Sequence, residues 1–370
     1  MHRVARSGAT VRAAGALAII LVACAVACVA CSDRRERPDA AAAAASPARA
    51  SAPSALRDSA AAATTAVASK PATAGESATV PAAAPVEAGP VGPSPAALDP
   101  SVTPTVEAAT LFSRPIVIGA SASAGFGISV REHGAKPGDG VGVSLADILR
   151  VAHSAPRTVE AYSSSMAFAN PGPILYGEMQ RALRHSPSVV IGIDFLFWYV
   201  YGTNDATGAP MGTREQRLAN LDRGLAQMDL ALARRIPVIV GDIPDMKAAI
   251  GKMLGREQVP DPATLDAVNA RIREWAQSRP GARVFGLRES VAAIAATGSM
   301  RAGGIEWSAD DHGPLLLRDE LHPSFPGLVA LASAVVESAA GLLPEESRAR
   351  FEASFEFDPM MLRRRLLDER

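Results

Sequence analysis

Past position 31 the chain has no cysteine: all three, Cys24, Cys28 and Cys31, fall in the first 31 of its 370 residues. The body of the protein therefore has neither disulfides nor thiol chemistry, whatever compartment it occupies. Neither sign of charge predominates, with 37 Lys and Arg against 38 Asp and Glu. The net charge is −1 and the pI near 6.6, without the basic footprint of a nucleic-acid partner. Aromatics make up 5% of the chain. From Arg34 to about Thr110 there is almost no aromatic residue or leucine among Ala, Pro, Ser, Thr and Val. Such a segment cannot bury enough apolar surface to offset its ordering entropy, so residues 32–110 read as a disordered tether, held extended by proline.

Long uncharged apolar runs are likewise scarce, and the clearest is Ala13–Ala30, preceded by Arg3, Arg6 and Arg12. That layout, over residues 1–31, is that of an export signal. LVAC at Leu21–Cys24 resembles a bacterial lipoprotein cleavage box, which implies that Cys24 becomes an acylated first residue. Cys31, followed by Ser32 and Asp33, competes with it. Two or more acyl chains on one cysteine form a stable membrane anchor. A soluble exported protein and a retained membrane helix are the alternatives. The expected address is the cell envelope, periplasmic or outer surface. Bases also cluster in the C-terminal MMLRRRLLDER, which reads as an amphipathic helix with a solvated basic face rather than a membrane-surface element.

The stretch Arg114–Gly127, RPIVIGASASAGFG, organises the rest. Ile116, Val117 and Ile118 form a short apolar run that predicts a buried strand, and the small residues after it leave room for a tight turn carrying Ser121. In open α/β sheets ligands bind at the carboxyl ends of strands, where a serine can turn its N–H and hydroxyl into one pocket. An unactivated serine hydroxyl is a poor nucleophile and needs a base. RDELHPSFPG, far downstream, offers Asp319 and His322 three residues apart. The loop lacks the Gly-x-Gly-x-x-Gly spacing and the Gly-Lys-Ser/Thr of phosphate cradles, and Ser123 breaks a GxSxG elbow.

The strand-turn-Ser block and the Asp-x-x-His-Pro block, in this order and at this separation, resemble the first and last blocks of the SGNH/GDSL hydrolase family. The resemblance implies a serine esterase with Ser121 as nucleophile, His322 as general base and Asp319 as its orienting partner. It departs at Ala120, where the family usually carries Asp. The family's oxyanion hole uses the serine N–H, a glycine after the second strand and an asparagine in a Gly-x-Asn-Asp block. These imply Ser121, Gly172 of Asn170-Pro171-Gly172, and Asn204 of YGTND, with the amides of AYSSSMAF as rivals to Gly172. The usual spacing would put the asparagine block at Phe195–Trp198, so either Asn204 follows an insertion or Gly202–Asp205 is only a turn. Asp194, at a strand end, is the other pocket candidate; an ionised carboxylate cannot donate a hydrogen bond.

Short apolar strands alternate with helical patterns. Predicted strands cover Ile116–Ile118, Arg157–Ala161, Ser188–Asp194, Ile236–Val240 and Arg283–Leu287. Predicted helices cover Leu145–His153 after a Ser144 cap, Pro173–His185, Thr213–Arg234, Pro262–Ser278 and Gly327–Gly341. This alternation predicts an α/β class fold: a three-layer α/β/α sandwich with a five-stranded parallel sheet, flavodoxin-like, as the family resemblance also implies. The hydrolase domain should span 111–344, with a helical tail over 345–370. The aromatic run Phe195–Tyr201 reads either as core packing or as a wall of the pocket. Asp310, Asp311 and His312 would need ligands from elsewhere to hold a metal. No metal or other cofactor is expected. The expected partner is a small-molecule or carbohydrate ester, favouring envelope or extracellular carbohydrate esters over long-chain lipids, and the oligomeric state is open. The competing reading is a catalytically silent envelope protein that keeps the fold to bind polysaccharide.

Overall fold

The computed structural model describes residues 108–132, 134, 136, 139–205 and 208–369. The export segment with Cys24 and Cys31, and nearly all of the tether, lie outside the described residues. Five short strands build the central sheet: β1 (Pro115–Val117), β2 (Glu160–Ala161), β3 (Val189–Gly192), β4 (Val238–Gly241) and β5 (Ala282–Phe285). They pair in parallel in the order β2-β1-β3-β4-β5.

The strands are near-continuous apolar runs because both faces of the sheet are covered. Successive residues point to opposite faces. Thus Val117, Val189, Ile191, Ile239 and Phe285 join one core, and Ile116, Ile118, Val190, Val238 and Val240 the other. The first core is closed by α1 (Leu145–Ala152) and α7 (Phe325–Ala340). The second is closed by α2 (Pro171–Arg184), α3 (Phe197–Tyr201), α4 (Arg214–Leu232) and α5 (Pro262–Gln277). This is the expected three-layer sandwich.

Local chemistry sets the helix starts. Ser144 with Asp147, and Thr213 with Gln216, form capping boxes at α1 and α4. Asp261 caps α5 just ahead of Pro262. Each such cap is worth about 1 kcal/mol. Val and Ile side chains fully buried along the strands contribute roughly 1.5–3 kcal/mol each.

The differences from the sequence reading lie between the predicted elements. The predicted strand Arg157–Ala161 shrinks to the two residues of β2, and α2 starts at Pro171 rather than Pro173. Phe197–Tyr201 is a helix, and α6 (Leu287–Thr297) follows β5 where no helix was expected. Ser299–Ala302 and Ile305–Ser308 form an antiparallel hairpin, and Ser129–Val130 pairs with Val141–Gly142. At the C-terminus, α8 (Glu345–Glu352) and α9 (Pro359–Asp368) add Phe351, Leu362 and Leu366 to the first core. Two bases of α9 are tied to backbone: Arg365 donates to the Val151 carbonyl and Arg363 to that of Arg131. Among the described residues, no helix is long and apolar enough to cross a membrane.

Candidate active site

In a sheet ordered 2-1-3-4-5 the chain winds away in opposite directions from β1 and β3, and the crevice opens between their carboxyl ends. The loop after β1 carries Ser121, and the loop after β3 carries Asp194. Gly119 makes the turn at φ +137°, where a Cβ would stand 2.2 Å from Asp194 Oδ1 and 3.0 Å from Ser123 Oγ. Only glycine fits that position.

His322 reaches Ser121 from 201 positions away. Its ring is buried, with Nε2 2.9 Å from Ser121 Oγ and Nδ1 2.8 Å from Asp319 Oδ2. Because the carboxylate can only accept, Nδ1 carries the proton and Nε2 is left to accept from the serine hydroxyl. The other oxygen of Asp319 accepts the amides of Leu321 and His322, both at 3.0 Å. Burial pushes the Asp319 carboxyl up, but the amide and ring of His322 and the Leu321 amide outweigh it and hold it below the ordinary value. Glu320, between the two, sits in the left-handed region at φ +60°, which lets the loop fold back so that the Leu317 amide donates to the His322 carbonyl. Phe126 lays its ring against the imidazole, with centroids 4.7 Å apart.

Asp194 lines the same cavity as Ser121 and His322. It is buried and accepts four hydrogen bonds from the serine loop. Oδ1 takes the Ala120 amide at 3.0 Å and the Ser123 hydroxyl at 2.6 Å; Oδ2 takes the amides of Ala122 at 2.9 Å and Ser123 at 3.1 Å. Glu178, on the buried face of α2, accepts the Gly119 amide at 2.9 Å. Burial chiefly pushes its carboxyl up to about 8; the Gly119 amide works against this and the Asp194 charge adds to it. The cavity is walled by apolar side chains, among them Phe197, Met246, Leu287, Ile294, Leu321 and Leu331. Of the aromatic run, Phe197 faces this cavity, while Phe195, Tyr199 and Tyr201 are fully buried, so both readings of the run hold in part.

Two expected oxyanion donors are not brought to Ser121. Asn204 is exposed and lines a separate groove with Asn170 and Pro171. Helix α3 follows a four-residue turn after β3 and ends on Tyr201, the first residue of YGTND; at 1.5 Å per residue its five residues carry the block roughly 7 Å onward. Gly172 lies buried in the first turn of α2 and does not line the cavity. Among the rival amides, that of Ser164 is spent on the Gly119 carbonyl at 2.9 Å. Asp311 is used locally, pairing with Ser308 at the start of a four-residue helix.

Sequence reading missed Glu178, Phe126 and the α6 residues Val291 and Ile294. A signal for Glu178 exists: it falls three residues after Leu175 and four before Ala182, on the face that α2 buries.

No family model matches the chain, and no curated protein does. Several solved structures are similar to it, three of which follow. One is a candidate acylhydrolase from Bacteroides fragilis NCTC 9343, 14% identical, over 63% of this chain and 88% of that one, with a TM-score of 0.40. A GDSL-like lipase from Bacteroides thetaiotaomicron VPI-5482 is also 14% identical, over 62% of this chain and 89% of its own, again at 0.40. A gut microbial diltiazem-metabolizing enzyme is 11% identical over 61% of this chain and 46% of its own, at 0.37. At such scores the fold class rests on the sheet order itself.

Proposed function

We propose that the protein is a serine esterase of the SGNH/GDSL type that hydrolyses a carboxylic ester through Ser121, His322 and Asp319. One observation carries this: hydroxyl, imidazole and carboxylate stand in line at 2.9 and 2.8 Å, beside an apolar cavity at the carboxyl edge of a parallel sheet. His322 Nε2 takes the Ser121 proton as Oγ attacks the ester carbonyl, then returns it to the departing alcohol. Asp319 fixes the tautomer and stabilises the imidazolium. The Ser121 N–H, which has no partner among the described residues, receives the oxyanion. Water then repeats the sequence on the acyl-enzyme.

The apolar walls suit the acyl group, leaving the alcohol, such as a sugar, toward solvent. A second reading, an envelope-binding protein without activity, draws on Asn204 standing outside the cavity. A screen of p-nitrophenyl esters from acetyl to palmitoyl separates the two. The esterase turns over at least one of them, and Ser121→Ala and His322→Ala abolish that turnover while keeping the native fold by circular dichroism. Turnover that survives in either variant removes the assignment.

A further inference from the structure

From Ile118 to Phe126 every backbone amide donates a hydrogen bond except that of Ser121. Those of Ile118, Ala124, Gly125 and Phe126 go to backbone carbonyls, which is ordinary strand and turn pairing. The four that flank Ser121 do not. Gly119 donates to Glu178, and Ala120, Ala122 and Ser123 donate to Asp194. Two buried carboxyl groups from different elements thus engage the loop on both sides of one residue and pass over that residue.

We propose that Asp194 and Glu178 are positioning residues, a two-carboxyl clamp that fixes the Gly119–Ser123 loop with the Ser121 N–H alone left for the substrate's carbonyl oxygen. The proposal rests on the esterase reading of the site and extends it. Ala120 offers no side-chain acceptor, and Asp194 supplies one from the loop after the neighbouring strand. A carboxylate is needed because both of its oxygens accept. An asparagine would turn an NH2 toward one pair of donors, either the Ala120 amide with the Ser123 hydroxyl or the amides of Ala122 and Ser123.

Glu178 has a different task. It meets one amide through Oε2, and its Oε1 is buried without a partner. The groups around it are Asp194 from the loop after β3, Arg181 on its own helix, Tyr199 of α3 and the amides of Gly119 and Ser164. Its raised carboxyl is neutral at pH 7, so a single negative charge lies beneath the loop, and that charge is spread over four donors. Ionising Glu178 would add a second charge, which opposes an oxyanion.

The test compares Asp194→Asn, Glu178→Gln and Glu178→Leu with the wild-type full chain, on the best p-nitrophenyl ester and with a fluorophosphonate probe. The clamp predicts that Asp194→Asn lowers kcat by about 10²-fold, the size of a lost oxyanion donor, with KM within about threefold. Probe labelling slows in parallel. Glu178→Leu loses at least about tenfold in kcat, and Glu178→Gln, which keeps an acceptor for Gly119, restores it at pH 7; the wild type should lose kcat above about pH 8, and Glu178→Gln should not. Should Asp194→Asn fail to fold, the Glu178 pair decides. An Asp194→Asn enzyme with kcat within threefold of wild type, a loss confined to KM, or a Glu178→Gln no better than Glu178→Leu overturns the clamp while the esterase stands. A wild type that neither turns over esters nor takes the probe overturns the esterase reading and the clamp together.

Discussion

Replacing Glu178 by glutamine should change how the protein's stability depends on pH in a direction that the surroundings of this side chain fix. Its carboxyl titrates near 8 in the folded chain against an ordinary value of 4.5, mainly because burial disfavours the charged form. Between those two values the folded chain holds a proton that the unfolded chain has released. Stability therefore falls as pH rises through that window, and the full penalty is present above about pH 8. At about 1.4 kcal/mol per pH unit, the group removes about 3 kcal/mol by pH 7 and on the order of 5 kcal/mol by pH 8. Glutamine keeps the size and an acceptor for the Gly119 amide, and it does not titrate. Thermal melts of the two proteins from pH 5 to pH 8 should diverge steadily. At roughly 2–4 °C per kcal/mol for a domain of this size, the gap at pH 7 exceeds that at pH 5 by roughly 5–10 °C, in favour of glutamine. Parallel Tm profiles across this range would show that Glu178 is charged in the folded protein and refute the reasoning.

Three further outcomes are expected. Asp319→Asn leaves the hydrogen bond to the ring but favours the wrong tautomer of His322, so kcat drops on the order of 10³- to 10⁴-fold with little change in KM, measured on the best p-nitrophenyl ester. Asn204→Ala stays within about threefold of wild type, because the side chain is exposed beside another groove; a hundredfold loss would return it to the oxyanion hole. Cells expressing the full chain with labelled palmitate should yield a labelled protein, and either Cys24→Ser or Cys31→Ser should abolish the label; an unlabelled wild type ends the lipoprotein reading.

The sequence made the scaffold legible because strand and helix signals are local. Ile116–Ile118 and the run around Val189–Ile191 are apolar enough to be strands anywhere, and Ser144 and Thr213 announce helices with their own hydroxyls. Ser121, His322 and Asp319 could be singled out because the two blocks that carry them have recognisable order and spacing. Helix α6 was not legible: of its eleven residues only Leu287 is buried, so no apolar face stands out. The YGTND block misled because letters carry no register, and the short helix ahead of it moves Asn204 away from Ser121. The acceptor role of Asp194 was hidden for another reason. Its partners lie 71 to 74 positions back along the chain and are mostly backbone amides, which every sequence has.

The central claim is that the Ser121 hydroxyl is activated by His322. Mass-mapped labelling of the wild-type chain with a fluorophosphonate, beside Ser121→Ala and His322→Ala, measures this directly. The account predicts one adduct per chain, on Ser121, absent from Ser121→Ala and slowed on the order of 10³-fold or more in His322→Ala. An unlabelled wild type, or an adduct on any other residue, would contradict it.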